Sequence, residues 1–196
     1  PDRLRGVAVV AADIHPDALK AMHVSGVRGI RLNLAGISHE IPEWTRAERV
    51  WQCMHDLGWH LEVHTDQGAL QKVLAQLPTE IPLVVDHMAK PNQALASDVS
   101  VRALVQRAQH VPTYVKLSGA YRLGSVDATR LAQVWLHELG CAALLWGSDW
   151  PCTNHESLAN YNDLFTQLAS WVGLPHLDAV LSHNPQHLYW SQTASL

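Results

Sequence analysis

Short apolar runs alternate along the chain with longer segments in which apolar residues recur every three or four positions. The short runs are typical of strands buried on both faces of a parallel sheet, and the wider spacing is typical of amphipathic helices. Six segments are predicted as strands: Val7–Val10, Gly29–Asn33, His60–Thr65, Leu83–His87, Tyr114–Ser118 and Leu144–Ser148. Strict alternation of strand and helix predicts an α/β fold, with a parallel sheet covered by helices.

The segments between the strands carry helix signals. Thr45 followed by Glu48 forms a capping-box pattern, and Asp66 precedes the next helix as its expected cap. The predicted helices cover Asp17–Ser25, the segment after Thr45, Gly68–Leu77, Asp98–His110, Ala128–Leu139, residues 155–171, residues 176–182 and a last turn over 183–190. No linker interrupts the pattern, so residues 1–196 are predicted to form a single domain.

Polar side chains gather at the carboxyl ends of the predicted strands. They are Arg31, Asn33, Glu62, His64, Asp86, His87, Lys116, Ser118 and Asp149. In a βα barrel these strand ends converge on one mouth, where sites are built. Asp149 follows a short apolar strand, a position in which a general base or a metal ligand would stand. Two simpler readings stay open: Asp149 caps a helix within 153–158, and Arg31 forms a salt bridge with Glu62.

Composition and charge exclude several classes of binding partner. The formal net charge is −4, so we expect neither nucleic acid nor a membrane as partner. No apolar run approaches the length of a membrane span. The three cysteines are scattered, which favours a reduced, cytoplasmic protein. No glycine-rich phosphate loop follows any strand, which argues against a nucleotide cofactor.

Several short motifs, in order and spacing, resemble one family. They are GIRLN at 29–33, VDHMAKP at 85–91, VKLSG at 115–119, WGSDWP at 146–151 and the pair NP with LY within 184–189. The chain resembles the amidohydrolase-2 family of TIM-barrel hydrolases, and within it the 2-pyrone-4,6-dicarboxylate lactonase branch. The resemblance implies a (β/α)8 barrel, of which this chain carries strands three to eight.

The resemblance also implies roles for individual residues. Asp149 is expected to activate water, and His87 to polarise the carbonyl of a lactone. Arg31 and Arg122 are expected to bind a substrate carboxylate. The remaining predicted substrate-binding residues are Asn33, His64 and Lys90. The function implied is hydrolysis of a small-molecule substrate, a lactone of a carboxylic or sugar acid, with no cofactor.

Two alternatives to this function stay open. The first is a zinc-dependent decarboxylase or amidohydrolase of the same superfamily, in which His64, His87 and Asp149 would bind the metal. The second is an inactive, truncated barrel. Six strands cannot close a barrel, so the edges Val7–Val10 and Leu144–Ser148 are expected to stay unpaired, with dimerisation across them as one outcome.

Overall fold

The computed structural model describes residues 3–191. Its centre is one sheet of six parallel strands, whose spatial order is the order along the chain. The strands are β1 (Gly6–Ala8), β2 (Val27–Asn33), β3 (His60–His64), β4 (Leu83–Val85), β5 (Thr113–Leu117) and β6 (Leu144–Trp146). All six predicted strands are therefore confirmed, although five of them end one to two residues earlier than predicted. In β3, β4, β5 and β6 the residues that leave the ladder include the polar strand tips.

The sheet curls into a half-barrel that stays open. Within residues 3–191, β1 pairs only with β2 and β6 only with β5. This arrangement confirms an incomplete barrel of the (β/α)8 type. No helix of the described part is long and apolar enough to cross a membrane.

Within the described residues, seven α-helices connect and cover the strands. They are α1 (Pro16–Val24), α2 (Glu48–Asp56), α3 (Leu70–Leu74), α4 (Val99–Ala108), α5 (Ala128–Leu139), α6 (Tyr161–Val172) and α7 (Asn184–Trp190). Asp98 and Asp127 cap α4 and α5, each through a carboxylate that accepts a backbone N–H. Both caps follow the ordinary preference for Asp at a helix start.

Two predicted caps are wrong. The hydroxyl of Thr45 donates to the carbonyl of Pro42, inside a 3-10 turn that precedes α2. The carboxylate of Asp66 accepts the N–H of Gly36 at 3.1 Å, so it fastens the loop after β2 and does not begin α3. In both cases a nearby loop competes successfully for a polar side chain that also suits a cap.

The segment after β6 also differs from the expectation. No helix begins within 153–158; α6 begins at Tyr161, and the side chain of Asn160 accepts the N–H groups of Asn162 and Asp163. The interpretation of Asp149 as a helix cap is therefore wrong. Residues 179–183 form a π-helical turn that runs into α7.

The two faces of the sheet bury different groups. The large apolar core fills the space between the sheet and the outer helices. On the inner face, Val84, Tyr114 and Leu145 pack with Leu188 of α7 as a separate small cluster at the amino-terminal end of the strands. The side chain of Asn184 holds α7 there by donating to the carbonyls of Cys141 and Leu144, both at 2.8 Å. The carboxyl end of the inner face is left for polar side chains.

Candidate active site

Four charged side chains meet on the inner face, in an arrangement that we call the ion cluster: Arg31, Glu62, Asp86 and Lys116. Lys116 Nζ lies 2.5 Å from Glu62 Oε2 and 3.1 Å from Asp86 Oδ1. Arg31 Nε lies 3.1 Å from Glu62 Oε1, and Arg31 Nη2 lies 2.7 Å from Asp86 Oδ2. The salt bridge between Arg31 and Glu62 that the sequence suggested is thus confirmed, within a larger network.

Burial and charge set the pKa values in the ion cluster. Burial and the neighbouring Asp86 raise the pKa of Glu62, against the opposing effect of Lys116 and Arg31. Burial acts on Asp86 in the same direction, but Lys116 and Arg31 prevail and hold its pKa below the usual range. Asp86 and Glu62 raise the pKa of Lys116, despite its burial. The cluster pairs two cations with two carboxylates, so the buried charges are balanced.

A second arrangement, which we call the base cluster, consists of Asp149, Tyr121, Arg122 and His87. Asp149 Oδ2 accepts hydrogen bonds from Tyr121 Oη and Arg122 Nε, each at 2.6 Å. The other oxygen, Oδ1, lies 3.8 Å from His87 Nε2. Burial works against ionisation, but the bonds from Tyr121 and Arg122 and the nearby His87 lower the pKa of Asp149. The carboxylate is therefore ionised, anchored by one oxygen and open at the other.

The two histidines at the strand tips are held as neutral rings. Burial, together with Arg122 and Arg31, lowers the pKa of His87 to about 4, against the pull of Asp86 and Asp149. Burial and the adjacent His87 lower the pKa of His64 to about 3. Their rings meet edge to face, with centroids 4.6 Å apart.

Hydrogen bonds fix the two imidazoles in place. His87 Nδ1 lies 3.1 Å from Ser118 Oγ, which leaves Nε2 facing Asp149. His64 Nδ1 lies 3.0 Å from Asn33 Oδ1 and 3.3 Å from Arg31 Nη2. His64 Nε2 is buried and makes no hydrogen bond with the described residues.

The backbone around the base cluster is strained. His87, Met88, Ala89 and Lys90 all have positive φ, between 42° and 65°, and together they form a left-handed turn. Asp149 also has a positive φ of 56°. Such conformations cost on the order of 1–3 kcal/mol each in residues other than glycine, and they gather at functional sites. The turn rotates His87 away from the direction of the preceding Asp86, so the two neighbours serve different clusters.

A cavity of about 530 Å³ opens between these clusters at the carboxyl ends of the strands. Every predicted catalytic residue lines it, as do four of the five predicted substrate-binding residues: Asp149, His87, Arg31, Asn33, His64 and Arg122. Lys90 is not part of the described wall; it lies half-buried at the end of the left-handed turn, where its backbone carbonyl accepts the N–H of Gly68. The roles of all these residues stay predictions.

The structure adds partners that sequence reasoning had not assigned. Tyr121 was missed entirely, although it directly precedes Arg122 in the loop after β5, a position that could have drawn attention to it. Ser118 and Lys116 had been noted only as polar strand tips. The sequence predicted only a substrate-binding role for Arg122. In the structure its Nε also binds Asp149, and its Nη2 donates to Thr153 O at 3.0 Å.

Among residues 3–191, the donors that converge closely enough for a metal ion are His64, Asp86 and His87, whose ligand atoms lie within 4.8 Å of one another. Asp149, which the metal alternative required, is not in this group. Both oxygens of Asp86 are already bound, one by Lys116 and one by Arg31. A divalent ion at this point would face two cations in place of free carboxylates, so the donor set does not fit zinc.

Comparison with known proteins gives consistent matches. A family model described as Amidohydrolase matches residues 1–189. A 2-pyrone-4,6-dicarboxylate hydrolase of Comamonas testosteroni is 27% identical, over 97% of this chain and 68% of the relative. A 4-sulfomuconolactone hydrolase of Rhizobium radiobacter is 25% identical, over 87% of this chain and 61% of the relative. The chain thus spans about two thirds of the length of these curated relatives.

The fold has solved counterparts. The crystal structure of a probable 2-pyrone-4,6-dicarboxylic acid hydrolase from Acinetobacter baumannii, with citric acid bound, superposes with a TM-score of 0.81 at 28% identity. The match covers 96% of this chain and 74% of that one.

Proposed function

The chain belongs to the amidohydrolase family, as its sequence motifs predicted, and on that premise we propose that it hydrolyses a lactone that bears an acidic group. Asp149 is the general base, and His87 is the group that polarises the ring carbonyl. The observation that carries the proposal is the asymmetry of Asp149, whose Oδ2 is held by two donors while Oδ1 faces His87 across the cavity.

In the proposed reaction, a water molecule near Asp149 Oδ1 gives its proton to the carboxylate and attacks the carbonyl carbon of the ring. The negative charge that develops on the carbonyl oxygen accepts a hydrogen bond from His87 Nε2. The bond between that carbon and the ring oxygen then breaks, and the leaving oxygen takes up the proton. The product is an open-chain acid, and Asp149 returns to its ionised form.

The low pKa of His87 supports its part in this step. In the neutral tautomer that carries its proton on Nε2, the nitrogen that faces the cavity and Asp149, Nδ1 accepts the hydrogen bond of the Ser118 hydroxyl. The carboxylate of Asp149 near Nε2 favours this tautomer, which can donate a hydrogen bond to an oxyanion. The nearby carboxylates Asp86 and Asp149 stabilise the positive charge that builds up on the ring as the hydrogen bond strengthens.

The charges of the cavity support an anionic substrate. Arg122 and Arg31 both line the wall, and the contacts described above leave the Nη1 nitrogen of each unused. Guanidinium groups bind carboxylates and related anions by paired hydrogen bonds. The names of the two curated hydrolases describe ring substrates that carry acidic groups, and the crystallised relative holds citric acid, which agrees with this chemistry.

The direct test is turnover of a panel of acidic and neutral lactones by the purified chain. We expect ring opening of an acidic lactone, measured by the loss of ring absorbance, and a large decrease of its rate in Asp149→Asn. Arg122→Met is expected to raise KM for an acidic lactone and also to lower kcat, because Arg122 holds the base. Failure of every lactone to react would refute the proposed function.

We propose that this reaction needs no metal, because the carboxylate among the converging donors is already neutralised by Arg31 and Lys116. The zinc-dependent alternative predicts stoichiometric zinc in the purified protein and loss of activity on chelation. Metal analysis before and after chelation, with lactone turnover measured on the same samples, separates the two.

We further propose a cytoplasmic setting and a homodimer. The three cysteines, Cys53, Cys141 and Cys152, are free thiols, which supports a reducing compartment. The unpaired edges of β1 and β6 support self-association, since open edges recruit other strands. Light scattering after gel filtration tests the dimer, and a monomeric mass at all concentrations would refute it.

A further inference from the structure

The wall of the cavity is strongly polar, with one exception. Trp150 is the only large apolar side chain among the described residues that line it, and it is 81% exposed. The other apolar contributors, Ala35 and Pro151, are small. An exposed indole at the wall of the cavity offers a broad apolar face that a flat ligand in the cavity can cover.

The turn that carries the base also carries Trp150. The N–H of Cys152 donates to the carbonyl of Asp149 at 2.6 Å and closes a turn with Trp150 and Pro151 at its tip. The N–H of Trp150 donates to Ser148 Oγ at 3.2 Å. Because Asp149 is itself fixed by Tyr121 and Arg122, the indole stands on an anchored segment one residue from the reacting carboxylate.

The other aromatic rings of the wall offer no comparable face. His64 and His87 are 8% and 3% exposed, and each ring is already engaged with the other, edge to face. The charged groups of the two clusters would be desolvated without compensation by an apolar ring. A flat ring in this cavity therefore has one favourable surface to lie against.

We propose that Trp150 is a specificity-determining residue that stacks on a flat, conjugated ring of the substrate. This inference rests on the proposed function and narrows the substrate class, from acidic lactones in general to unsaturated ones. A planar ring stacks on an indole over its whole face, whereas a puckered, saturated ring of the same charge touches it at a few atoms. The arginines bind the anionic groups of both kinds equally well.

The test uses binding, so that it does not depend on turnover. Two probes carry the same charge: pyridine-2,4-dicarboxylate, which is flat, and cis-cyclohexane-1,3-dicarboxylate, which is puckered. Their dissociation constants are measured by calorimetry on the unaltered chain, Trp150→Ala and Trp150→Phe. Leu158→Ala is the matched control, since Leu158 is also exposed and follows in the same loop, but does not line the cavity.

We expect Trp150→Ala to weaken the flat probe about fivefold to tenfold and the puckered probe less than about twofold. Trp150→Phe should keep most of the affinity, and Leu158→Ala all of it. Equal losses for both probes, or no binding of the flat probe to the unaltered chain, would overturn the inference. If the probes are discriminated as expected while no lactone is hydrolysed, the proposed function fails and the stacking surface stands.

Discussion

The ion cluster and the base cluster both hold carboxylates at the wall of one cavity, and they differ in how completely those carboxylates are paired. In the ion cluster every carboxylate oxygen of Glu62 and Asp86 meets a cation. In the base cluster one oxygen of Asp149 is held and the other is not. A fully paired carboxylate can only support the structure, whereas a half-paired one can still accept a proton.

The two clusters also differ in backbone conformation. Arg31, Glu62 and Lys116 lie within regular strands, where the ladder fixes their direction. Asp149 and His87 both have positive φ at the strand ends. Regular strands therefore carry three of the four balanced charges, and strained turns carry the groups to which we assign chemistry.

The strongest test of this difference is to neutralise the carboxylate of Asp149, which has one oxygen unpaired. Asp149→Asn should lower kcat for an acidic lactone by about 10²–10⁴-fold, because the amide cannot take a proton from water. The melting temperature should fall only moderately, since Asn tolerates the positive φ of this position and can still accept hydrogen bonds, although the ion pair with Arg122 is lost. Activity within a few-fold of the unaltered chain would end the assignment of the base.

A substitution in the ion cluster should lower the stability of the fold. Lys116→Met leaves Glu62 and Asp86 buried with only Arg31 between them, so we expect a loss of about 3–5 kcal/mol in the free energy of unfolding. Urea titration measures it. Lys20→Met is the control: Lys20 pairs with Asp17 on the surface, and its loss should cost less than about 1 kcal/mol. Similar losses for both variants would contradict the distinction between the clusters.

Gly119 tests whether the base cluster depends on close packing. Its φ is 56°, and an added Cβ would lie 2.6 Å from His87 Nδ1 and 3.2 Å from Asp149 Oδ2. Gly119→Ala should displace both side chains and lower kcat by about tenfold to a hundredfold. Gly140→Ala provides a control with positive φ but no heavy atom within 4 Å of the new Cβ. It should destabilise the chain without changing kcat per folded molecule.

A further prediction concerns acid stability. Burial lowers the pKa of His60 to about 3, so the unfolded chain, with an ordinary histidine near 6.5, binds the proton more readily. Above pH 6.5 His60 is neutral in both states and does not lower the free energy of unfolding. As the pH falls from 6.5 toward 3, protonation of the unfolded chain lowers that free energy by up to about 1.4 kcal/mol per pH unit. Unfolding of His60→Leu should show a correspondingly shallower acid limb. An unchanged slope would show that His60 is not neutral in the fold.

The sequence determined most of the framework by itself. The apolar runs located all six strands, and Asp98–His110 and Ala128–Leu139 predicted α4 and α5 closely, because buried strands and amphipathic helices have local periodicities. Local pattern was insufficient for Thr45 and Asp66, whose side chains suit both caps and loops. It also placed polar groups at the strand ends, since those positions follow directly from where each apolar run stops.

Only the tertiary structure decided how those polar groups divide. Asp86 and His87 are neighbours in the sequence, yet the left-handed turn sends one to the ion cluster and the other toward Asp149. The pairing of Arg122 and Tyr121 with Asp149 joins residues 27 and 28 positions apart. The physical reason is that hydrogen bonds and ion pairs form wherever the curled sheet brings charges together, and no local period of the chain encodes that distance.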